Sequence, residues 1–355
     1  MSLNKKIDDW FLGYKTRAVK ARDSGVLIGK SKHRRKSGIP LKPGSGLANL
    51  TAAAKKHPEV MVKIPKRLSR FSKGMQGVVN HLDYISRNGK ITVETQSGEK
   101  LDGKKAVKSL TEDWKKLNIP DNSKHREALN IVLSMPAGTP PQAVLNAARN
   151  FAAEQFRDHP YVFALHHESE KADEPEHPHV HLCVLMRDAF GGRLNPRKND
   201  LFEWRVRFAE KLREEGVECA ATRRQHRGRT VKPENGLLRA MLQRGVAGNV
   251  HQQQAAELIK AMQNSDRLKH PYLQEAMKTR GYILSEYGLI AKELYKMGHK
   301  TEARMISKLA KDMAGQPFTT QAQRQYDDAQ GRLNGQKTQN PEQISEYLQN
   351  DDITR

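Results

Sequence analysis

Five of the fourteen histidines fall within sixteen residues, with His166 and His167 at one end of the run and His177, His179 and His181 at the other. The residues beside them, Tyr161 to His166 and Val180 to Met186, read as two strands separated by a loop rich in Glu, Asp and Pro. Alternate side chains of an extended strand share a face. His179 and His181 therefore point together while Val180 turns to the core. A third imidazole from the neighbouring strand would complete a three-histidine face with open coordination positions, where a substrate oxygen can bind. A single histidine is usually a surface or core residue, but clusters at ligand spacing are the signature of a metal. Three imidazoles favour a softer ion such as Zn2+, whereas a phosphate filling the other positions suits Mg2+ or Mn2+.

Around that cluster the apolar pattern alternates between strand and helix periods. Glu59 to Ile64, Lys90 to Gln96 and Ala128 to Ser134 read as further strands, and Met75 to Arg87, residues 104–117, Pro141 to Phe156 and a segment from Asp200 to Glu215 as helices. The order is βαββαβαββα-like, so the expected class is α+β, an antiparallel sheet backed by helices. Beyond Lys232 no strand pattern remains. The expected organisation is a flexible basic arm over 1–50, a nuclease-sized domain over 51–233, an all-helical region over 234–316 that includes a hairpin at Gly298-His299, and a disordered tail over 317–355 rich in Gln and Asn.

Charge narrows the partner. The chain carries +22, and residues 1–73 hold 19 Lys or Arg against 4 Asp or Glu. Such a balance calls for a polyanion, most commonly nucleic acid. Arg34, Arg35 and Lys36 in the arm, and Arg223, Arg224, Arg227 and Arg229 later, are the candidate phosphate contacts. No apolar run is long enough to span a bilayer, so no membrane insertion is expected. Two cysteines without zinc-finger spacing point to a reducing cytoplasm.

The His179-Val180-His181 triplet resembles the histidine–hydrophobic–histidine motif of the HUH endonucleases. With His166-His167-Glu168 before it, the pattern is most similar to conjugative relaxases of the mobilisation and Ti-plasmid VirD type. The acidic position is Glu168 where Asp is usual, and the doubled histidine leaves the third ligand open between His166 and His167. The resemblance implies that Glu168 orients an imidazole. It also implies a nucleophilic tyrosine, matched by Tyr84 in His81-Leu82-Asp83-Tyr84-Ile85-Ser86-Arg87-Asn88-Gly89, and a serine at a strand end, matched by Ser134. Leu194-Asn195-Pro196-Arg197-Lys198 and the run from Trp204 to Arg213 are similar as well.

Helical phase supports Tyr84. At about 100° per residue, Met75, Val78, Leu82 and Ile85 form one stripe, and Tyr84 lies roughly 140° from its centre. The resemblance implies a metal-dependent transesterification in which Tyr84 attacks a scissile phosphodiester of single-stranded or locally melted DNA at a transfer origin. It further implies accessory relaxosome proteins, a type IV coupling protein, and export of the DNA-bound protein from a bacterial cytoplasm. The competing readings are a rolling-circle replication initiator and a non-catalytic DNA-binding adaptor with a structural metal.

Overall fold

A computed structural model describes residues 2–19, 39–65, 74–117, 119–121, 123, 125–167, 177–229, 241, 244–246, 248–268 and 272–337. The chain divides into two compact units, residues 1–222 with 289–309 and residues 223–288 with 310–355.

The first unit is built on six strands: β1 (Met61–Lys63), β2 (Val93–Thr95), β3 (Lys100–Leu101), β4 (Ala128–Ser134), β5 (Tyr161–His166) and β6 (His179–Leu185). Their order across the sheet is β1-β4-β6-β5-β2-β3, and every neighbouring pair is antiparallel. With α3 (Gly74–Ile85), α4 (Gly103–Lys115), α5 (Pro141–Gln155) and α6 (Lys198–Glu214) this is the expected α+β class, in the expected order from β1 to α6.

The period of two sorts the strand residues into two layers. Val162, Ala164, Cys183 and Leu185 join a core with Met75, Val78, Leu82 and Ile85 of α3 and Val107 and Trp114 of α4. On the opposite face the Arg149 guanidinium of α5 sits 5.9 Å from the centre of the Phe163 ring. There α5 packs against β5 and β6, and α6 packs against α5. Phe151 and Phe156 meet Phe208 and Trp204 of α6 with ring centres 6.1 and 5.2 Å apart.

The segment expected to be a flexible arm over 1–50 is ordered where it is described. Helix α1 (Leu3–Leu12) buries Ile7, Trp10, Phe11 and Leu12, and α2 (Ser45–Ala54) buries Asn49 and Leu50. The Asp8 carboxylate accepts from the N–H groups of Gly44 and Gly46 at 2.8 and 2.7 Å, tying the two helices together. Phe11 reaches Phe202 of α6 at 5.3 Å between ring centres. The reason for the difference is phase: Ile7, Trp10 and Phe11 recur at helical spacing and dock on one side, whereas Lys5 of the same helix is exposed. Arg34, Arg35 and Lys36 lie outside the described residues.

The second unit is helical. It contains a 3-10 turn at Arg224–Arg227, α7 (Asn249–Gln263), the first part of α8 (Leu273–Lys296), the end of α9 (Lys300–Ala314) and α10 (Gln321–Lys337). Helices α8 and α9 turn at Gly298, as the sequence suggests. Helix α10 falls within the stretch expected to be disordered. Its composition is polar, but Tyr326 is buried, α10 packs on α7, and Arg267 forms a two-pronged ion pair with Asp327 at 2.9 and 2.6 Å. No helix among the described residues is long and apolar enough to cross a membrane.

Candidate active site

Strand register assembles the site. His179 on β6 pairs directly with Ser134 on β4 and with His166 on β5, and His181 pairs with Val132 and Ala164. Directly opposed residues of antiparallel strands point to the same face. Ser134, His179 and His166 therefore form a row across three strands, with His181 in the next row on that face. The three imidazoles make a compact triangle, with ring centres 5.3 Å apart for His166 and His179, 5.2 Å for His179 and His181, and 4.7 Å for His166 and His181.

One ring nitrogen of each lies within 4.8 Å of the others, a spacing that one metal ion can bridge. The remaining hydrogen bonds suit that use. His166 Nε2 donates to the Ile85 carbonyl at 2.7 Å, His179 Nδ1 to the His177 carbonyl at 2.9 Å, and His181 Nδ1 to Asn130 Oδ1 at 3.4 Å. Each ring is thus oriented by a protein oxygen through one nitrogen, the arrangement that fixes the tautomer of a metal-binding histidine. Burial pushes the His181 pKa down to about 2, with His166, His179, His81 and Arg87 adding to the effect. The ring is neutral at physiological pH, as a ligand must be. The donor set and its protonation fit a divalent ion.

Of the doubled histidine, His166 enters the triangle. His167 is exposed and lies outside the group, as alternation along β5 requires. Glu168 falls outside the described residues.

Tyr84 occupies the last turn of α3. Met75, Val78, Leu82 and Ile85 of that helix are buried, whereas Tyr84 is 56% exposed. Its ring stands edge-on to His181, with centres 5.2 Å apart and planes at 90°. The backbone after it is unusual: Arg87, Asn88 and Gly89 have φ of 48°, 58° and 83°. The Ser86 hydroxyl accepts from the Gly89 N–H at 3.2 Å and bonds the Asp83 carbonyl at 3.3 Å. A Cβ on Gly89 would fall 2.3 Å from the Lys104 nitrogen at the start of α4, so only glycine allows the approach.

Two neighbours escape sequence reading. Asn130 looks like any polar residue alternating along β4, yet it bonds His181. His81, one turn before Tyr84, is half-buried, and desolvation lowers its pKa to about 4 against the opposing effect of the Asn130 amide. Its Nε2 has no hydrogen-bond partner among the described residues. The four arginines expected to hold DNA belong to the second unit. Arg223, Arg224 and Arg227 are half-buried there, and Arg229 is exposed.

The relaxase family model described as MobA/VirD2-like, nuclease domain, matches residues 84–217. The chain is 27% identical over 239 residues to the T-DNA border endonuclease VirD2 of Agrobacterium fabrum, covering 61% of this chain and 51% of that protein. VirD2 of Rhizobium radiobacter and of Rhizobium rhizogenes are 29% and 28% identical over 184 residues, or 46% of this chain and 42% and 40% of theirs. The chain thus spans about half the length of the curated relatives it matches, or less. No solved structure matches it. The resemblance to VirD-type relaxases holds, and the matched segment includes Tyr84, Ser134 and all three clustered histidines.

Proposed function

We propose, from a chain that carries a VirD-type relaxase segment, that this protein nicks and rejoins one DNA strand through a tyrosine-linked adduct. The observation that carries the reading is the placement of the exposed Tyr84 ring 5.2 Å from that of His181, one of the three clustered histidines. A phenol with an ordinary pKa near ~10 attacks poorly at neutral pH without help. When bound to His166, His179 and His181, a divalent ion supplies Lewis-acid stabilisation of the charge that develops on the scissile phosphate.

The chain's own residues do the rest. The Tyr84 oxygen forms a bond to phosphorus as the bond from phosphorus to the 3′ oxygen breaks. The phenol loses its proton, and the departing oxygen gains one as a free 3′ hydroxyl. One phosphodiester is exchanged for another, so the reverse reaction rejoins the strand. Ser134, in the same row as His179, is assigned a hydrogen bond to the DNA backbone. Glu168 is assigned the orienting of an imidazole. Asn130 and the Ile85 carbonyl hold two of the rings. An unpaired strand is the fitting substrate, because a duplex would not offer an exposed phosphodiester in this geometry.

The relatives are named for cleavage at T-DNA borders, and the corresponding target here is a transfer origin. Mg2+ or Mn2+ is the proposed ion, since a phosphate substrate would suit an oxygen-preferring ion, with Zn2+ as the alternative. Accessory relaxosome proteins and a type IV coupling protein are the proposed partners, with the DNA-linked protein exported from the bacterial cytoplasm. The test is incubation with 5′-labelled and 3′-labelled single-stranded origin DNA and either ion, resolved on a denaturing gel. The expected result is a protein adduct on the 3′-side fragment, mapped to the peptide holding Tyr84. Cleavage that leaves a free 5′ phosphate and no adduct would reject the reading.

A further inference from the structure

The second unit has a cleft of about 820 Å3, lined by the turn after Thr222, by α7, by the start of α8 and by the start of α10. Its volume lies toward the upper end of the range of about 300–1,000 Å3 usual for ligand sites. The lining is chemically lopsided. Arg223, Arg224, Arg229 and Arg280 face one carboxylate, Glu257, over a floor that includes Met313 and Phe318.

Arg280 is structural. Its guanidinium donates to the carbonyls of Met313, Ala314 and Gln316 at 2.5, 3.1 and 2.7 Å and stacks 5.2 Å from the Phe318 ring centre. Arg224 and Arg229 differ, having no acidic partner among the described residues. Uncompensated guanidinium groups gathered at one cleft raise its affinity for an anion. Arg227 belongs to the same sequence run but does not line the cleft, so the run is sorted by geometry.

The wall that carries these arginines is held firmly. His226 is buried in the 3-10 turn, and the Tyr287 hydroxyl donates to its carbonyl at 2.6 Å. Gly228 ends the turn at φ 65°, and a Cβ there would lie 2.7 Å from Met313 Cγ. At the cleft's edge stands Tyr272, whose side chain is 65% exposed.

We infer that this cleft binds single-stranded DNA, with Arg224 and Arg229 on the backbone phosphates and Tyr272 stacked on an unpaired base. Basic grooves with exposed aromatic rings hold single strands in this way, largely without regard to sequence, and a paired base cannot stack on such a ring. The inference rests on the reading of the protein as acting on single strands. It adds a second hold on the strand, carried by a unit other than the one that bears Tyr84.

The experiment uses the full chain carrying Tyr84→Phe, so that no covalent adduct at the nuclease site enters the signal. The probe is twelve-residue oligothymidylate containing 5-iodouracil, cross-linked by ultraviolet light and mapped by peptide mass. The expected cross-link lies on the peptide holding Tyr272, persists in Tyr272→Phe, and disappears in Tyr272→Leu with about a tenfold weaker affinity. Replacing Arg224 and Arg229 with Ala should reduce the slope of log affinity against log salt by about 1.4, because two phosphates of the strand are no longer neutralised. Cross-links confined to residues before 223, or an unchanged salt slope, would overturn the proposal. Displacement of the probe by thymidine monophosphate at equal concentration would also overturn it, marking a free-nucleotide pocket. Adduct formation by the unaltered chain is scored separately, so a failure of the nicking reaction cannot be confused with a failure of the cleft.

Discussion

The two faces of one sheet do different work with adjacent residues. Along β4, Asn130 and Ser134 look toward α3 while Leu129, Ile131 and Leu133 look away, and along β6, His179 and His181 alternate with Val180 and Leu182. One face becomes a row of imidazoles, amide and hydroxyl at the edge of a small core, and the other is apolar along these two strands. A step of one residue separates a candidate ligand from a packing group. Rigidity on the apolar face is what lets three imidazoles from two strands hold a common geometry, since register fixes both faces at once.

Substitutions can separate the two faces, and the largest expected effect is at Tyr84. Tyr84→Phe removes one exposed oxygen, so melting temperature should stay within a degree or two while adduct formation falls by at least about 10^3-fold. Comparable adduct yield from the variant would remove Tyr84 from the mechanism. On the packing side, Phe11→Ala should cost about 3–5 kcal/mol of stability, read from denaturant midpoints. That value tests whether α1 is an integral cover over α6; a change under about 1 kcal/mol would restore the reading of residues 1–50 as a flexible basic arm.

Asn130 sits on the polar face without belonging to the triangle, and it sharpens the contrast. Asn130→Ala should weaken metal binding about 10- to 100-fold, as loss of a group orienting a ligand does, with little loss of fold. Isothermal titration with Mn2+ would measure it, and unchanged affinity would leave Asn130 a packing residue.

The smallest effect concerns pH and lies away from the sheet. Burial lowers the His226 pKa to about 3, with Arg223 and Arg227 contributing. Because the folded value is depressed below the ordinary 6.5, its stabilising contribution is complete above pH 6.5 and is lost as pH falls toward 3. From pH 7 to pH 5 the loss should be at most about 2 kcal/mol. Unfolding of the full chain followed at both values, beside His226→Gln, would detect it; an equal pH dependence in the variant would assign the effect elsewhere.

Much of this is legible in the sequence alone. The alternation of His179 and His181 reveals a strand and two imidazoles on one face at once, and the stripe from Met75 to Ile85 leaves Tyr84 outside the core. Asn130 and His81 are not legible, because a polar residue in a strand or helix looks the same whether it faces water or an imidazole. Helix α1 is hidden by the lysines around it, since a charge count averages over faces that a helix keeps apart. Helix α10 is hidden for the opposite reason: its docking depends on Tyr326 within a polar run, too sparse a signal for periodicity to register.

The left-handed triplet after α3 has a consequence for how the protein can vary. With Gly89 pressed against the backbone of Lys104, the helix has a fixed stop, and the azimuth of every residue before it is counted back from that stop. Each residue is about 100° of rotation. Adding or deleting one residue between Tyr84 and Gly89 would swing the phenol to another side of the helix while leaving its composition and apolar content nearly unchanged. The length of the interval from Tyr84 to Gly89 therefore fixes where the phenol points, and Asp83, which lies outside that interval, could be exchanged far more readily than the interval could be lengthened or shortened.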